Sequence, residues 1–182
     1  MKLTIPALLA FGFACTLQAQ NIDAAIKDLQ QSYAGIKNNV LAAAEEMPDS
    51  DYDFKLTSAQ RSFGAWVAHV AEAQMRSCSA ITGSGKKSDA GSKTSKADLM
   101  AALKTSFEEC DAAYSGTTPE NYLAPARTFR GEVPRISSLY GNIAHDQECY
   151  GNMVGYLRSK GLVPPSTERM QKMMKGRTGG KR

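Results

Sequence analysis

Residues 134–165 read PRISSLYGNIAHDQECYGNMVGYLRSKGLVPP, and this stretch decides the fold. Pro134 suits the first turn of a helix, where its missing N–H costs no intrahelical bond. An apolar stripe centred near Leu139, Tyr150 and Leu157 follows, and the helix runs to Ser159 or Lys160. Gly161 supplies the stop, and Pro164 and Pro165 bar an extension. A helix of this length with one apolar stripe needs other stripes to bury it.

Three further segments supply them. The first runs from about Ile22 to Glu46, with Ile26, Leu29, Tyr33, Ile36 and Val40 at helical spacing, and ends at Pro48. Ser58 is placed to cap a second helix from about Ala59 to Ile81, whose stripe of Phe63, Val67, Val70, Cys78 and Ile81 is interrupted by Gln74. Residues 82–94 are rich in glycine, serine and lysine and read as a flexible connection. Ser95 caps a third helix to about Tyr114, and a longer irregular connection follows, with Pro119, Pro125 and Gly131 as breakers. Nothing reads as a strand. The class is all-α, a four-helix bundle, and the long connections suit one crossover.

The 182 residues suit one domain, with 42% hydrophobic and 22% charged residues and a net charge of +4. Lys2, the apolar run Leu3–Leu17 and the small residue Ala19 read as an export signal over residues 1–19. The apolar run is shorter than the roughly 20 residues a membrane span needs. Phe13, two residues before Cys15, does not suit a lipid-attachment signal. The expected location is therefore periplasmic or secreted, with the bundle over residues 20–165. Residues 166–182 carry Arg169, Lys172, Lys175, Arg177, Lys181 and Arg182 against Glu168. Gly179 and Gly180 favour a solvated, flexible basic tail there, so neither nucleic acid nor stable membrane association is expected. Removing Cys15 leaves Cys78, Cys110 and Cys149, an odd number in an oxidising compartment.

The chain has two histidines, His69 in helix two and His145 in helix four, and Cys149 follows His145 by one helical turn. Imidazole and thiol on one helix face can share a metal ion, and a third ligand from a facing helix completes a set with one open position. At about 100° per residue, His145 and Cys149 fall roughly 80–120° to one side of their stripe, and His69 about 120° to the same side of its own. That places them at the rim of the core. Simple exposure explains two such histidines equally well. Glu72 and Glu148 each lie three residues beyond a histidine, so each can orient an imidazole or act as a base, though charged helix faces produce that spacing by chance. No phosphate-cradling glycine loop, nucleophile elbow or zinc-finger pattern occurs.

The runs SFGAWVAHVAEAQMRSCSAITG and YGNIAHDQECYGNMVGYLRSKGLVPPS resemble helices two and four of the DinB superfamily, and EEMPDSDYDFKLTSAQRSF resembles its link between helices one and two. The resemblance implies a bundle ordered up-down-down-up with a crossover, and a divalent metal held by one helix-two histidine and a His-x-x-x-His pair on helix four. Those positions fall on His69, His145 and Cys149. The cysteine departs from the family pattern. As a thiolate ligand it favours zinc, with nickel as the second choice; as a small buried thiol it marks a decayed site. The implied parallel course of helices two and three brings Cys78 and Cys110 toward the same end, where a disulfide or two separate buried thiols are the alternatives. The resemblance also implies homodimer formation. Two functions follow: an exported metal-dependent enzyme of hydrolase or thiol-transferase type with an unknown small-molecule substrate, or a non-catalytic binding protein with a degenerate site.

Overall fold

The computed structural model describes residues 7–128 and 131–179, with side chains for 22–128 and 131–177. Helix α1 spans Ala7–Glu46, α2 Phe63–Thr82, α3 Lys96–Ser115, α4 Arg135–Ser159 and α5 Pro165–Gly179. A short hairpin, β1 (Pro125–Thr128) and β2 (Gly131–Pro134), precedes α4. Residues 1–6 of the expected export signal lie outside the described residues, and 7–21 are described only as backbone at the start of α1. Among the described residues, no helix is long and apolar enough to cross a membrane.

Contacts at the helix ends fix their directions. Lys96 at the start of α3 donates to the carbonyls of Glu45 and Met47 at 2.7 and 2.8 Å, and Gln30 on α1 reaches the carbonyl of Tyr114 at 3.0 Å. These two helices are antiparallel. On α2 and α3 the starts meet at Gly64 and Leu99, and the ends are joined by a Cys78–Cys110 disulfide, so this pair is parallel. On α4, Arg135 donates to the carbonyl of Ile81, while the Tyr156 ring lies 6.1 Å from that of Phe63, so α4 runs against α2. The directions are up, down, down, up. A core of Leu29, Tyr33, Val40, Phe63, Val67, Leu103, Phe107, Tyr114, Leu139, Met153 and Leu157 fills the space between the four long helices.

Several local readings need correction. Helix α2 starts at Phe63, capped by Ser62, whose hydroxyl accepts from the Ala65 N–H at 3.2 Å, rather than at Ala59 behind Ser58. The N–H groups of Phe63 and Gly64 are taken by the carbonyls of Phe54 and Tyr52, which holds residues 52–62 as a loop folded over the helix start. The hairpin carries no strand pattern in the sequence, because four-residue strands are too short for an alternation signal and prolines stand at its outer ends. Gly131, at the start of β2, has φ +99°, a left-handed value that glycine adopts without a Cβ clash. Of residues 166–182, expected to be a flexible basic tail, those up to Gly179 lie in α5. Its first turn is pinned by Tyr150, whose hydroxyl donates to Ser166 Oγ at 2.9 Å and accepts from the Ser166 N–H at 3.0 Å. Pro165 opens this helix, as proline at a first helical position can. Ser95 and Gly161 perform the capping roles expected of them. The N–H of Leu162 bonds the carbonyl of Leu157, and that of Gly161 the carbonyl of Arg158, closing α4 around a left-handed glycine.

The parallel pair makes residues 83–95 the crossover. They must return along a helix of 20 residues, about 30 Å long at about 1.5 Å per residue. This segment is strapped down. Glu109, 4% exposed, accepts from Ser84 Oγ and Lys86 Nζ, both at 2.8 Å, and from the Thr82 hydroxyl. Lys86 and these hydroxyls hold the Glu109 carboxyl down at about 2, against an ordinary 4.5. A depressed folded-state value means the stabilisation is complete above pH 4.5 and disappears as pH falls toward 2. Glu109→Gln is therefore expected to lose about 2 kcal/mol at neutral pH. Its stability, followed by urea titration, should vary less than that of the parent between about pH 5 and pH 2. Equal slopes in that window would contradict this role.

Candidate metal centre

His69 lies in the second turn of α2, and the antiparallel course of α4 brings His145 opposite it. The two Nε2 atoms stand 3.1 Å apart, within hydrogen-bonding reach. One turn further along α4, the Cys149 Sγ lies 3.7 Å from His145 Nε2 and 3.8 Å from its Nδ1. One donor atom from each of the three residues falls within 4.8 Å of the other two. The structure thus brings together all three predicted positions. They are not equally placed at the rim: both histidines are half-buried, while Cys149 is 2% exposed and lies deeper than its helical angle suggested.

Two of the three donor separations are close to those of a shared ion, and the third, between His69 and Cys149, is within 4.8 Å. Nitrogen ligands at about 2.0–2.1 Å and a sulfur at about 2.3 Å, set tetrahedrally, stand about 3.3 Å apart for two nitrogens and about 3.6 Å for nitrogen and sulfur. The observed 3.1 and 3.7 Å lie close to these separations. The nearly equal distances from sulfur to both nitrogens of His145 put Sγ close to the plane that bisects the Nδ1–Nε2 pair. Cys149 is free because Cys78 and Cys110 pair with each other, which accounts for the odd thiol.

Two polar residues not anticipated as site residues support α4 from below. Asp146 is 0% exposed, and one carboxylate oxygen accepts from the Gln74 amide, itself 0% exposed and packed against the disulfide. The other oxygen lies 3.5 Å from His145 Nδ1, an ion-pair distance without a hydrogen bond of good geometry. Asp146, then Cys149, push the His145 imidazole up to about 10. Burial raises the Asp146 carboxyl, and His145 opposes that shift. His69 is lowered, first by burial, then by the neighbouring charges of His145 and Arg61. Arg61 lies 4.9 Å over the Trp66 ring, which meets His69 edge-on at 5.9 Å. The sequence did carry a sign of Asp146: it falls three residues after Ile143 and seven before Met153, on the buried face of α4.

The two glutamates part company. Glu72 turns away to accept the Gly91 N–H at 2.9 Å, so it ties the crossover to α2. Glu148 lines a cleft of about 540 Å³ between α2, α4 and the hairpin, with His145 on the same wall. A smaller cleft of about 310 Å³ reaches His69 from the other side of α2.

An antiparallel-and-parallel helical bundle with a His-His-Cys cluster, whose His145 lines a cleft between α2 and α4, defines the class. Residues 33–151 match the DinB superfamily, and the chain belongs to it. Solved structures agree. A DinB-like protein from Bacillus cereus ATCC 10987 superposes with a TM-score of 0.65 at 16% identity, covering 76% of this chain and 95% of that one. A DinB-like protein from Bacillus subtilis gives 0.61 at 19% identity, covering 75% and 94%. The mycothiol-dependent maleylpyruvate isomerase gives 0.59 at 14% identity, covering 70% of this chain and 60% of the isomerase. No curated protein matches the sequence.

Proposed function

We propose that this chain is an exported metal-dependent enzyme in which His69, His145 and Cys149 hold a divalent ion, zinc before nickel. The convergence of their donor atoms beside an open cleft carries the reading. A divalent ion there supplies Lewis-acid activation of a thiol or water nucleophile. The residues of the chain do the rest. Asp146 and Gln74 hold the orientation of His145, and small side chains on α2 and α4 admit a substrate to its edge. Glu148 on the same wall offers a carboxylate to take a proton. Thiol transfer is preferred to hydrolysis, because one structural neighbour is a mycothiol-dependent isomerase. The N-terminal pattern supports export, and so does the buried disulfide, a bond that persists in oxidising compartments.

Elemental analysis of protein purified without added metal tests the centre. One ion per chain is expected, lost in both His145→Ala and Cys149→Ser. Absence of metal from the parent, with a melting temperature unmoved by chelator, would leave the degenerate-site alternative standing in its place. Metal retained by Cys149→Ser would remove the thiol from the ligand set.

A further inference from the structure

The larger cleft has a polarity of its own. Its α4 wall carries His145 and Glu148, while α2 and the hairpin contribute Arg76 and Arg127. Both arginines are exposed, and among the described residues neither forms an ion pair within 4.0 Å. No arginine among the described residues forms an ion pair within 4.0 Å; apart from His145 with Asp146, the ion pairs there are made by lysines. Lys37, Lys86, Lys93, Lys160 and Lys172 each have a carboxylate at 2.6–3.0 Å. Glu132 is the cross-strand partner of Arg127 in register, yet no salt bridge joins them.

Between these walls the lining is narrow and largely uncharged. Ala73, Ser77 and Ala80 of α2 face Gly141 and Ala144 of α4, so two helix backbones approach without large side chains between them. A volume of about 540 Å³ is that of a small-molecule site, and a slot between two helices does not admit a nucleic acid duplex. The hairpin is seated by Ala126, 3% exposed, which fixes the neighbouring Arg127 at the cleft.

We propose that this cleft takes a small molecule with an anionic terminal group, carboxylate or phosphate, held by Arg76 and Arg127 while its other end lies at His145. Guanidinium forks match the oxygen pairs of such groups, and an apolar or small polar linker fits the slot between them. Glu148 at the opposite wall disfavours the reversed orientation, in which the anion would lie against a carboxylate. The anion subsite is a property of these side chains alone; only the reactive end rests on the metal-centre reading.

Calorimetric titration of the full chain with hexanoate, hexyl phosphate and hexanol tests it, with metal content measured on every sample. The anions are expected to bind about tenfold or more tightly than hexanol. Arg76→Ala and Arg127→Ala should each lose a large part of that preference, and the double variant all of it. Arg158→Ala, outside the cleft, should keep it, and unchanged melting temperatures exclude misfolding. Either order of carboxylate and phosphate supports the subsite and names its headgroup. A metal-loaded parent that binds hexanol as well as the anions overturns the proposal, as does an anion preference that survives the double variant. If the metal-centre reading alone fails, anion preference persists in metal-free protein and in His145→Ala. If the subsite alone fails, metal is present and the preference is absent.

Discussion

Replacing both Cys78 and Cys110 with alanine is expected to remove about 4 kcal/mol of stability, as the chain-entropy account of a crosslink of this span implies. The disulfide closes a loop with a sequence separation of 32, and both residues are 0% exposed. Their loop contains the entire crossover, so the unfolded chain regains the freedom of a long segment when the bond is absent. The loss of two buried sulfurs adds a packing cost of the usual large-to-small kind. Denaturant unfolding of parent and double variant measures the difference, and mapping without reduction should recover the two cysteines in one linked peptide. A variant within about 1 kcal/mol of the parent would mean that the crossover is held by Glu109 and Glu72 and hardly by the disulfide. The variant should also keep its metal, because neither sulfur is a ligand and Cys149 is separate from the pair.

The sequence was most legible where a single local rule decided the outcome. The Ser95 cap, the Gly161 stop and the stripes of α2, α3 and α4 each follow from spacing within one helix. It was least legible where distant segments compete for one backbone group. Ser58 and Ser62 are both acceptable caps, and the choice falls to Ser62 because Tyr52 and Phe54 fold back to accept the first N–H groups of α2. The basic C-terminal segment lacks a strong stripe of its own, and its first turn depends on the hydroxyl of Tyr150 in another helix. In the same way, the glycine-rich connection looks flexible until a buried glutamate on α3 is placed beneath it.

At the candidate site, the ligand positions were readable and their support was not. His69 and His145 are the only histidines, and scarcity together with the His145–Cys149 spacing singled them out. Glu72 lies three residues beyond His69, a spacing that charged helix faces also produce by chance, and its side chain is engaged by Gly91, where even a methyl group would come within 2.6 Å of its oxygen. The carboxylate that faces an imidazole nitrogen belongs instead to the residue next to His145, 3.5 Å from its Nδ1. A neighbour in sequence points about 100° away on a helix, so Asp146 is directed into the core while His145 stays at the rim. Gln74 was visible only as an interruption of a stripe. An interruption of that kind in a buried face needs a partner, and Asp146 is that partner.

Gln74→Leu is accordingly expected to cost about 3 kcal/mol, because it leaves a carboxylate at the centre of the bundle without its amide donor. Asp146 has no exposure through which water can compensate, and its second oxygen already lacks a well-formed hydrogen bond. Changing both residues to leucine should cost less than the sum of the single changes, since neither then strands the other. Asp146→Asn separates stability from orientation. Its amide oxygen can still accept from Gln74, while its amino group replaces the anion facing His145 Nδ1, so the fold should survive. With the metal centre proposed above, loss of that anion is expected to weaken metal affinity about 10–100-fold, the range found when the outer partner of a ligating imidazole is removed. Competition with a chelator reads the affinity, and unfolding in the metal-free state reads the stability. Unchanged affinity in a stable Asp146→Asn protein would reduce Asp146 to a packing role. A fall in affinity with stability preserved would make Asp146, with Gln74 behind it, a positioning pair for His145, joining the disulfide on α2 and α3 to the cleft through one continuous set of buried contacts.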